Sequence, residues 1–301
     1  MTIPVLIVRA ATLAQAHESA LKELWKNGIR IKTQYDGDNA PSIDATMNIT
    51  VDEPLADPMI HKVFPGGIED LQEYVLELKG YKDHWTKNMN DPDDTRWEYT
   101  YHQRFVEWGT YYEFDGTKIV RIGNPVDQVD IVARKLAEQP YSRQAQLTTW
   151  MPFMDNDIYD PPCIQSVWYR ITENITKDYR REWYIHTNVR IRSNDAFGAA
   201  FMNMFGITMF TRDVVIPKIQ SYMETPCDIY MNRLNWQADS YHIYGKDLKD
   251  FQKRFMNKVG KVPQENRFYN FYDPDIQEIY SEAHDKVLKK IEKYDQTHQR
   301  N

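Results

Sequence analysis

The stretch REWYIHTNVRIRSNDAFGAAFMNMFGITMF, residues 181–210, joins two apolar patterns without a break. Its first part, REWYIHTNVRIRS, is typical of a strand, in which Arg190 and Arg192 share one face and Ile191 points the other way. The following part, 194–219, is apolar on most faces, which predicts a long and largely buried helix. A strand leading directly into a buried helix indicates a fold that mixes both kinds of element.

The rest of the chain continues this mixture. Alternating or apolar runs predict further strands at 4–11, 29–35, 42–54, 146–150, 164–171 and 228–245. Amphipathic patterns predict helices at 12–28, 67–81 and 125–140. A polar loop is expected at 83–100, and a charged helix with a polar tail at about 280–301. Without a regular βαβ rhythm, repeat or linker, the pattern predicts a single α+β domain over 1–301.

Composition excludes several classes of protein. The net charge of −7 gives no electrostatic case for nucleic-acid binding. Two cysteines provide neither a disulfide framework nor the spacing of a zinc site, so no metal is expected. The N-terminal apolar run lacks a preceding basic segment, and no later segment approaches about 20 apolar residues. We expect a soluble cytoplasmic protein with no membrane partner.

Cys163 lies in YDPPCIQSVWYRI, residues 159–171, behind two prolines and ahead of a predicted strand. The prolines restrict the local backbone and could aim the thiol at a ligand. A buried structural role is the commoner fate of an isolated cysteine. A nucleophilic thiolate would need a cation nearby to lower its pKa, and Arg192 is a candidate. Arg192 with Ser193 would also suit a phosphate.

Other polar residues stand in apolar or alternating surroundings. Asn203 lies inside the buried helix, where its amide needs partners and could read a donor and an acceptor on a planar ligand. Glu73 lies on the helix at 67–81, and His242 and Tyr244 alternate on one strand face and could bind a sugar hydroxyl. Taken singly, each of these residues is more often structural than functional.

Together these segments resemble the thymidylate synthase family, which includes the deoxypyrimidylate hydroxymethylases. The resemblance rests on PPC before a strand, RSND followed eight residues later by Asn203, and SYHIY near the end. EYVLELKG fits the family's E-L-x-W-F-x-x-G helix, and YHQRFVEW fits its Y-x-x-x-W/F-x-x-W segment. These matches run from about residue 42 to 244 and place Glu73 and Tyr101 on the family's catalytic glutamate and tyrosine.

The resemblance implies an α+β homodimer in which one face of the sheet forms the interface. It implies transfer of a one-carbon unit from 5,10-methylenetetrahydrofolate to C5 of a pyrimidine nucleoside monophosphate. Cys163 would add to C6 of the pyrimidine, and Arg192 would hold the phosphate and favour the ionised sulfur. Glu73 and Tyr101 would hold water molecules that move protons on and off the ring.

Further roles follow from the resemblance. Asp195 would bind the folate pterin, and Trp85 would shield the one-carbon unit from water. His242 and Tyr244 would bind the sugar hydroxyl, and Ser193 the phosphate. Arg143 would reach across the dimer to the partner's phosphate. Gln144 follows it, where the family usually has a second arginine.

The base and the product are separate questions. An asparagine at 203 suits the N3–H and O4 of uracil, whereas cytidylate hydroxymethylases carry Asp there. VDEP at 51–54, the RSND form and Ile191 resemble the hydroxymethylases, and the chain end lacks the short apolar tail of the synthases. The sequence therefore favours a dUMP hydroxymethylase. Thymidylate synthase, a (d)CMP hydroxymethylase and a catalytically idle nucleotide-binding homologue remain alternatives.

Overall fold

The structure is a computed structural model that describes residues 2–87, 94, 96–109, 111–114, 119–122, 124–156, 158–225 and 227–298. Side chains are described in these ranges except at 111–114, 119–122 and 298. The strands are β1 (Val5–Ala10), β2 (Ile29–Ile31), β3 (Ser42–Val51), β4 (Ile60–His61), β5 (Tyr111–Phe114), β6 (Ile119–Ile122), β7 (Ala145–Thr148), β8 (Ile164–Ile175), β9 (Arg181–Asp195), β10 (Asp228–Ile243) and β11 (Phe268–Tyr269).

The α-helices alternate irregularly with these strands. They are α1 (Leu13–Asn27), α2 (Ile68–Leu78), α3 (Tyr101–Val106), α4 (Gln128–Glu138), α5 (Pro152–Asp155), α6 (Ala200–Phe210), α7 (Ile216–Gln220), α8 (Leu248–Asp250), α9 (Asn257–Val259) and α10 (Pro274–His298). Wider π turns at Thr211–Val215 and Phe251–Met256 connect α6 to α7 and α8 to α9. Short 3-10 turns occupy Asp83–Trp85, Gly245–Asp247 and Gln264–Asn266.

Seven strands form one mixed sheet in the order β1-β3-β10-β9-β8-β7, with β2 also paired to β3. The β1/β3 and β9/β10 pairs are parallel, and the other pairs of the sheet are antiparallel. The sheet places the start of β8 beside the end of β9, with Ile164 opposite Ile191. The residues around the two prolines therefore lie next to the RSND segment.

One hydrophobic core covers a face of this sheet. Alternate residues of β9 point into it, and Ile185, Val189 and Ile191 are each at most 2% exposed. Helix α6 is apolar nearly all round and packs against α1 and α2. The predicted α+β class is therefore confirmed, and each predicted strand and helix overlaps an observed one.

The predicted starts of two helices were wrong. The buried helix begins at Ala200 and not at residue 194, because Asp195 accepts backbone hydrogen bonds from Phe197 and Gly198 and holds a turn there. The charged C-terminal helix begins at Pro274 and not near 280. Its buried residues are widely spaced (Ile276, Ala283, Val287 and Ile291) and most of its surface is polar. The hydrophobic pattern therefore did not reveal the first turns of the helix.

The expected loop at 83–100 contains more structure than predicted. A 3-10 turn covers Asp83–Trp85, and Thr86 forms an isolated bridge with Trp97. Residues 88–93 and 95 of that loop lie outside the described residues. Within the described ranges, no helix combines the length and apolar character needed to cross a membrane. In the same ranges, no cluster of three or more His, Cys, Asp or Glu could hold a metal ion.

Candidate active site

The start of β8 is fixed by Tyr101. Thr100 caps α3 by accepting a hydrogen bond from the backbone N–H of Gln103, which puts Tyr101 at the first helical position. The Tyr101 hydroxyl oxygen accepts hydrogen bonds from the backbone N–H groups of Cys163 and Ile164, both at 3.1 Å. Two catalytic residues implied by the resemblance, 62 positions apart, are therefore in direct contact.

Arg192 holds the same loop from the other side. Its guanidinium donates to the carbonyl oxygens of Pro161 at 2.6 Å and Pro162 at 3.1 Å, and its backbone N–H donates to the carbonyl of Cys163 at 2.9 Å. Burial raises the pKa of the Cys163 thiol, and the nearby charge of Arg192 only partly counters this. The resting group at neutral pH is therefore the thiol, held within the field of a fixed cation.

Asn203 is already partnered on both sides of its amide. Its Nδ2 donates to the Tyr74 hydroxyl at 2.8 Å, and its Oδ1 accepts from Asn194 Nδ2 at 3.1 Å. Burial raises the pKa of Tyr74 well above its ordinary value, so this hydroxyl keeps its proton. Sequence reasoning had identified Asn203 but neither of these partners.

Glu73 lies between two lysines. Its carboxylate accepts from Lys82 Nζ at 2.7 Å and from Lys290 Nζ of α10 at 2.8 and 2.9 Å. Burial would raise the pKa of Glu73, but these two cations outweigh it and hold the pKa below its ordinary value. Lys82 is almost fully buried, and its Nζ lies 5.1 and 5.3 Å from the ring centroids of Trp85 and Trp97.

Glu77 is a functional candidate that sequence reasoning missed. It lines a cavity of about 460 Å³ together with Tyr99, Tyr101, Tyr159 and Asp160. Burial raises its pKa, and the Lys82 Nζ lies 3.6 Å from its carboxylate. The available signal was its spacing: Glu77 lies four residues after Glu73, on the same side of an amphipathic helix.

The expected sugar-binding residues are adjacent at the end of β10. The rings of His242 and Tyr244 are 4.6 Å apart, and burial raises the pKa of Tyr244 to about 12. Ser240 Oγ contacts His242 Nδ1 at 3.1 Å and donates to Asp44 Oδ2 at 2.8 Å. Within the described residues, the buried His242 Nε2 has no hydrogen-bond partner. Asp44, on β3, was not found from sequence.

The remaining expected residues are more scattered. Ser193 is partly buried on β9 and pairs with Ser240 of β10. Asp195 uses Oδ1 for both of its backbone hydrogen bonds. Trp85 packs against the C-terminal helix, with its ring centroid 4.2 Å from that of Tyr294 and its Nε1 donating to Asp295. Arg143 is exposed just before β7.

Comparisons with known proteins show which family this chain resembles. The sequence profile of the family described as thymidylate synthase matches residues 20–299. The thymidylate synthase of Bacillus subtilis subsp. natto is 23% identical over 300 residues, covering 91% of this chain and 97% of that protein. A Methanosarcina mazei protein with a provisional thymidylate synthase name is 26% identical over 242 residues, covering 80% of this chain and 90% of that protein.

A solved structure shows the same fold. Thermostable thymidylate synthase A from Bacillus subtilis superposes with a TM-score of 0.53 at 17% identity, covering 81% of this chain and 84% of that one. The family match extends over most of the chain, including every residue of the site described above. The chain therefore belongs to the thymidylate synthase family of one-carbon transferases, which use methylenetetrahydrofolate.

Proposed function

We propose that this protein transfers a one-carbon unit to C5 of dUMP through a covalent bond between Cys163 and C6, and that its product is the hydroxymethyl nucleotide. One observation carries the catalytic part. The backbone on both sides of the Cys163 sulfur is held by Tyr101 and Arg192, so the thiol is fixed beside a cation. Such fixation suits a nucleophile that must meet one carbon atom of a bound ring.

Arg192 is proposed to serve the phosphate and the sulfur together. Its Nε and Nη2 are occupied by the proline carbonyls, and its Nη1 makes no hydrogen bond within the described part of the chain. That nitrogen is left for the nucleotide phosphate, next to the hydroxyl of Ser193. The charge of Arg192 lowers the pKa of Cys163 against the effect of burial, which favours loss of the thiol proton when the ring arrives.

Proton movement is assigned to Tyr101 and to the carboxylates of α2. Glu77 lines the same cavity as Tyr101, and Lys82 connects it electrostatically to Glu73. When the C5–H bond breaks, its electron pair stays on the ring and the proton passes through water toward this cavity. Glu73, which stands at the position of the family's catalytic glutamate, contributes by holding Lys82 in place.

Methylenetetrahydrofolate supplies the one-carbon unit when bound. Asp195 fits its pterin, because Oδ1 is used in the local turn while Oδ2 accepts no hydrogen bond from the described residues and is left for a donor group. Gly198 keeps this place open, since a Cβ there would lie 2.4 Å from Asp195 Oδ2. Trp85 would approach the folate only after leaving Tyr294, so we propose a smaller role for it than the sequence suggested.

The hydroxymethyl product is the finer part of the proposal. Adding hydroxide to the C5 methylene of the nucleotide gives hydroxymethyl, whereas adding hydride gives methyl. VDEP, RSND and Ile191 favour hydroxymethyl. Thymidylate synthase is the second candidate, because the named relatives carry that activity in their names.

Replacing Cys163 with Ala tests the covalent mechanism. With methylenetetrahydrofolate present, the wild type should release tritium from [5-³H]dUMP, and the variant should lose at least about 10³-fold of that rate. Cys227→Ala is the matched control, since it removes the chain's other cysteine and should leave release unchanged. Tritium release that survives Cys163→Ala would refute the mechanism and favour an idle or unrelated protein.

The product and the base need a separate assay. Wild-type protein is incubated with methylenetetrahydrofolate and, in separate reactions, dUMP, dCMP, UMP or CMP. The mass of the nucleotide formed is measured by mass spectrometry. We expect a hydroxymethyl gain on dUMP, with tetrahydrofolate released. A methyl gain with dihydrofolate would establish the synthase alternative, and reaction of CMP or dCMP alone would establish the cytidylate one.

The homodimer also belongs to the proposal. Arg143 is exposed and is expected to reach the phosphate of the partner subunit. If so, Arg143→Ala and Cys163→Ala subunits, each inactive alone, should recover activity when mixed, because one site of the heterodimer has both residues. Failure to recover activity in a verified heterodimer would refute this placement. Cytoplasmic localisation rests on the sequence, and cell fractionation would test it.

A further inference from the structure

Trp236 determines which way the buried Asn194 and the partly buried Asn203 face. Trp236 is fully buried on β10, and its indole N–H donates to Asn194 Oδ1 at 3.0 Å. An indole nitrogen can only donate, so the amide atom facing it must be the oxygen of Asn194. The Nδ2 of Asn194 is then the atom that faces Asn203, which must present its Oδ1. The Nδ2 of Asn203 consequently points to the Tyr74 hydroxyl.

This chain of hydrogen bonds removes the usual ambiguity of an asparagine side chain. A flipped Asn203 would put its Nδ2 against the Nδ2 of Asn194, so two donors would meet in a partly buried place. A flip of Asn194 as well would put a donor against the indole N–H of Trp236. The Tyr74 hydroxyl accepts or donates equally well and does not choose between the two arrangements. Among the described residues, the choice comes from Trp236.

The orientation matters because uracil and cytosine have opposite edges. Uracil offers a donor at N3 and an acceptor at O4, whereas cytosine offers an acceptor at N3 and a donor at N4. In its observed orientation, the Asn203 amide still has one N–H and one oxygen lone pair that can bind a base. The positions of this donor and this acceptor are fixed. An amide fixed in this orientation can hydrogen-bond to one of the two bases. Against the other base, its N–H faces a donor and its oxygen faces an acceptor.

We propose that Trp236 and Asn194 hold the amide of Asn203 in a single orientation and thereby determine which pyrimidine base the site accepts. This inference rests on the proposed function only in taking Asn203 as the base-reading residue. Trp236 and Asn194 act through Asn203 and are positioning residues. We expect this base to be uracil, because the proposed function assigns Asn203 to the N3–H and O4 of that base.

Asn194→Asp tests this relay, the chain of hydrogen bonds from Trp236 through Asn194 to Asn203, with almost no change of side-chain shape. The new carboxylate accepts from Trp236 and can only accept from Asn203, so Asn203 must turn its Nδ2 toward residue 194. Tyr74 then donates to Asn203 Oδ1. The exposed edge of the amide is reversed, and the preference for dUMP over dCMP should fall by on the order of tenfold or more.

Equilibrium dissociation constants for dUMP and dCMP, measured by titration calorimetry at pH 8, give the preference without any need for turnover. Asn235→Asp makes the same chemical change next to Trp236, on a residue that contacts Thr50 and not Asn203, and should keep the wild-type ratio. Asn203→Asp provides a positive control for a cytosine-reading site. Trp236→Phe, which removes the donor that orients Asn194, should also reduce the ratio.

The possible results distinguish failure of the orienting hydrogen bonds from failure of the proposed function. A wild type that binds neither nucleotide refutes the proposed function. A wild type that prefers dUMP, with the same ratio in folded Asn194→Asp and Trp236→Phe, leaves that function standing and overturns the relay. A reduced or inverted ratio in either variant, with Asn235→Asp unchanged, supports it.

Discussion

Glu73 and Glu77 are one helical turn apart but lie in opposite electrostatic environments. Two lysines hold the pKa of Glu73 below its ordinary value, whereas burial holds that of Glu77 above it. Sequence comparison chose Glu73 because it stands seven residues before Gly80, as the family motif requires. Only the structure shows that Glu77 shares a cavity with Tyr101, because cavity walls depend on how α2 is rotated against its neighbours.

Glutamine substitutions at the two positions distinguish their roles. Glu77→Gln should lower tritium release by about 10²-fold or more, because a proton carrier is lost, while the free energy of unfolding changes little. Glu73→Gln should mainly destabilise the protein, since the almost fully buried Lys82 loses its closest anion. Chemical denaturation and the tritium assay measure the two effects. A larger loss of release in a stable Glu73→Gln variant would contradict this assignment.

At the scale of elements, the C-terminal helix α10 is part of the site's support. Val287 and Ile291 of α10 pack with Leu76 of α2 in a small apolar cluster, next to the contact of Tyr294 with Trp85. The helix also brings Lys290 to Glu73, 217 positions away in sequence. The sequence predicted a charged helix here. It could not predict the partner, because a mostly polar helix surface does not identify what its narrow apolar stripe will contact.

Ile291→Ala should loosen α10 from α2. Ile291 is 6% exposed, and removing a buried isoleucine typically costs about 2–4 kcal/mol of unfolding free energy. Ile279→Ala on the same helix is the control, since Ile279 is 47% exposed and its loss should cost less than about 0.5 kcal/mol. Hydrogen exchange of α10 amides would report the loosening. Equal exchange in the two variants would show that the apolar cluster does not hold the helix.

At the scale of the whole molecule, a buried ionic network connects the two ends of the chain. Glu18 of α1 accepts from Arg267 at 2.7 and 2.8 Å and contacts His61 Nε2 at 3.2 Å. His17 lies beside it, fully buried, with neither ring nitrogen hydrogen-bonded within the described residues. Burial opposes charge on both histidines and lowers their pKa values below 6.5.

This network predicts that the folded protein loses stability as the pH falls. A histidine whose pKa is lower in the folded than in the unfolded protein favours unfolding as the pH falls below 6.5. Hydrogen bonds to His61, Arg267 and Lys22 outweigh the opposing effect of burial and lower the pKa of Glu18 to about 2. Its stabilisation is therefore lost as the pH falls from 4.5 toward 2. The loss of stability should begin with the histidines and continue with Glu18.

His17→Leu isolates the first of these steps. Urea unfolding between pH 7 and 5 should show a shallower loss of stability than in the wild type, by about 1.4 kcal/mol per pH unit below the unfolded histidine pKa. The slope should not change between pH 8 and 7, where neither form of the protein titrates at this residue. An unchanged slope below pH 6.5 would mean that His17 is already protonated in the folded protein.

Local pattern was enough to predict the seven strands of the main sheet and the longer helices, and short motifs were enough to predict membership of the thymidylate synthase family. Side-chain periodicity and proline positions act over a few residues, and Cys163, Arg192 and Asn203 lie in short motifs whose spacing is visible in the chain. Lys82, Asp44 and Trp236 were not predicted. Each gains its role from a partner on another element, so its contribution depends on strand register and helix packing that no local pattern contains. The orientation of Asn203 is the clearest case, because it depends on one indole N–H on a neighbouring strand.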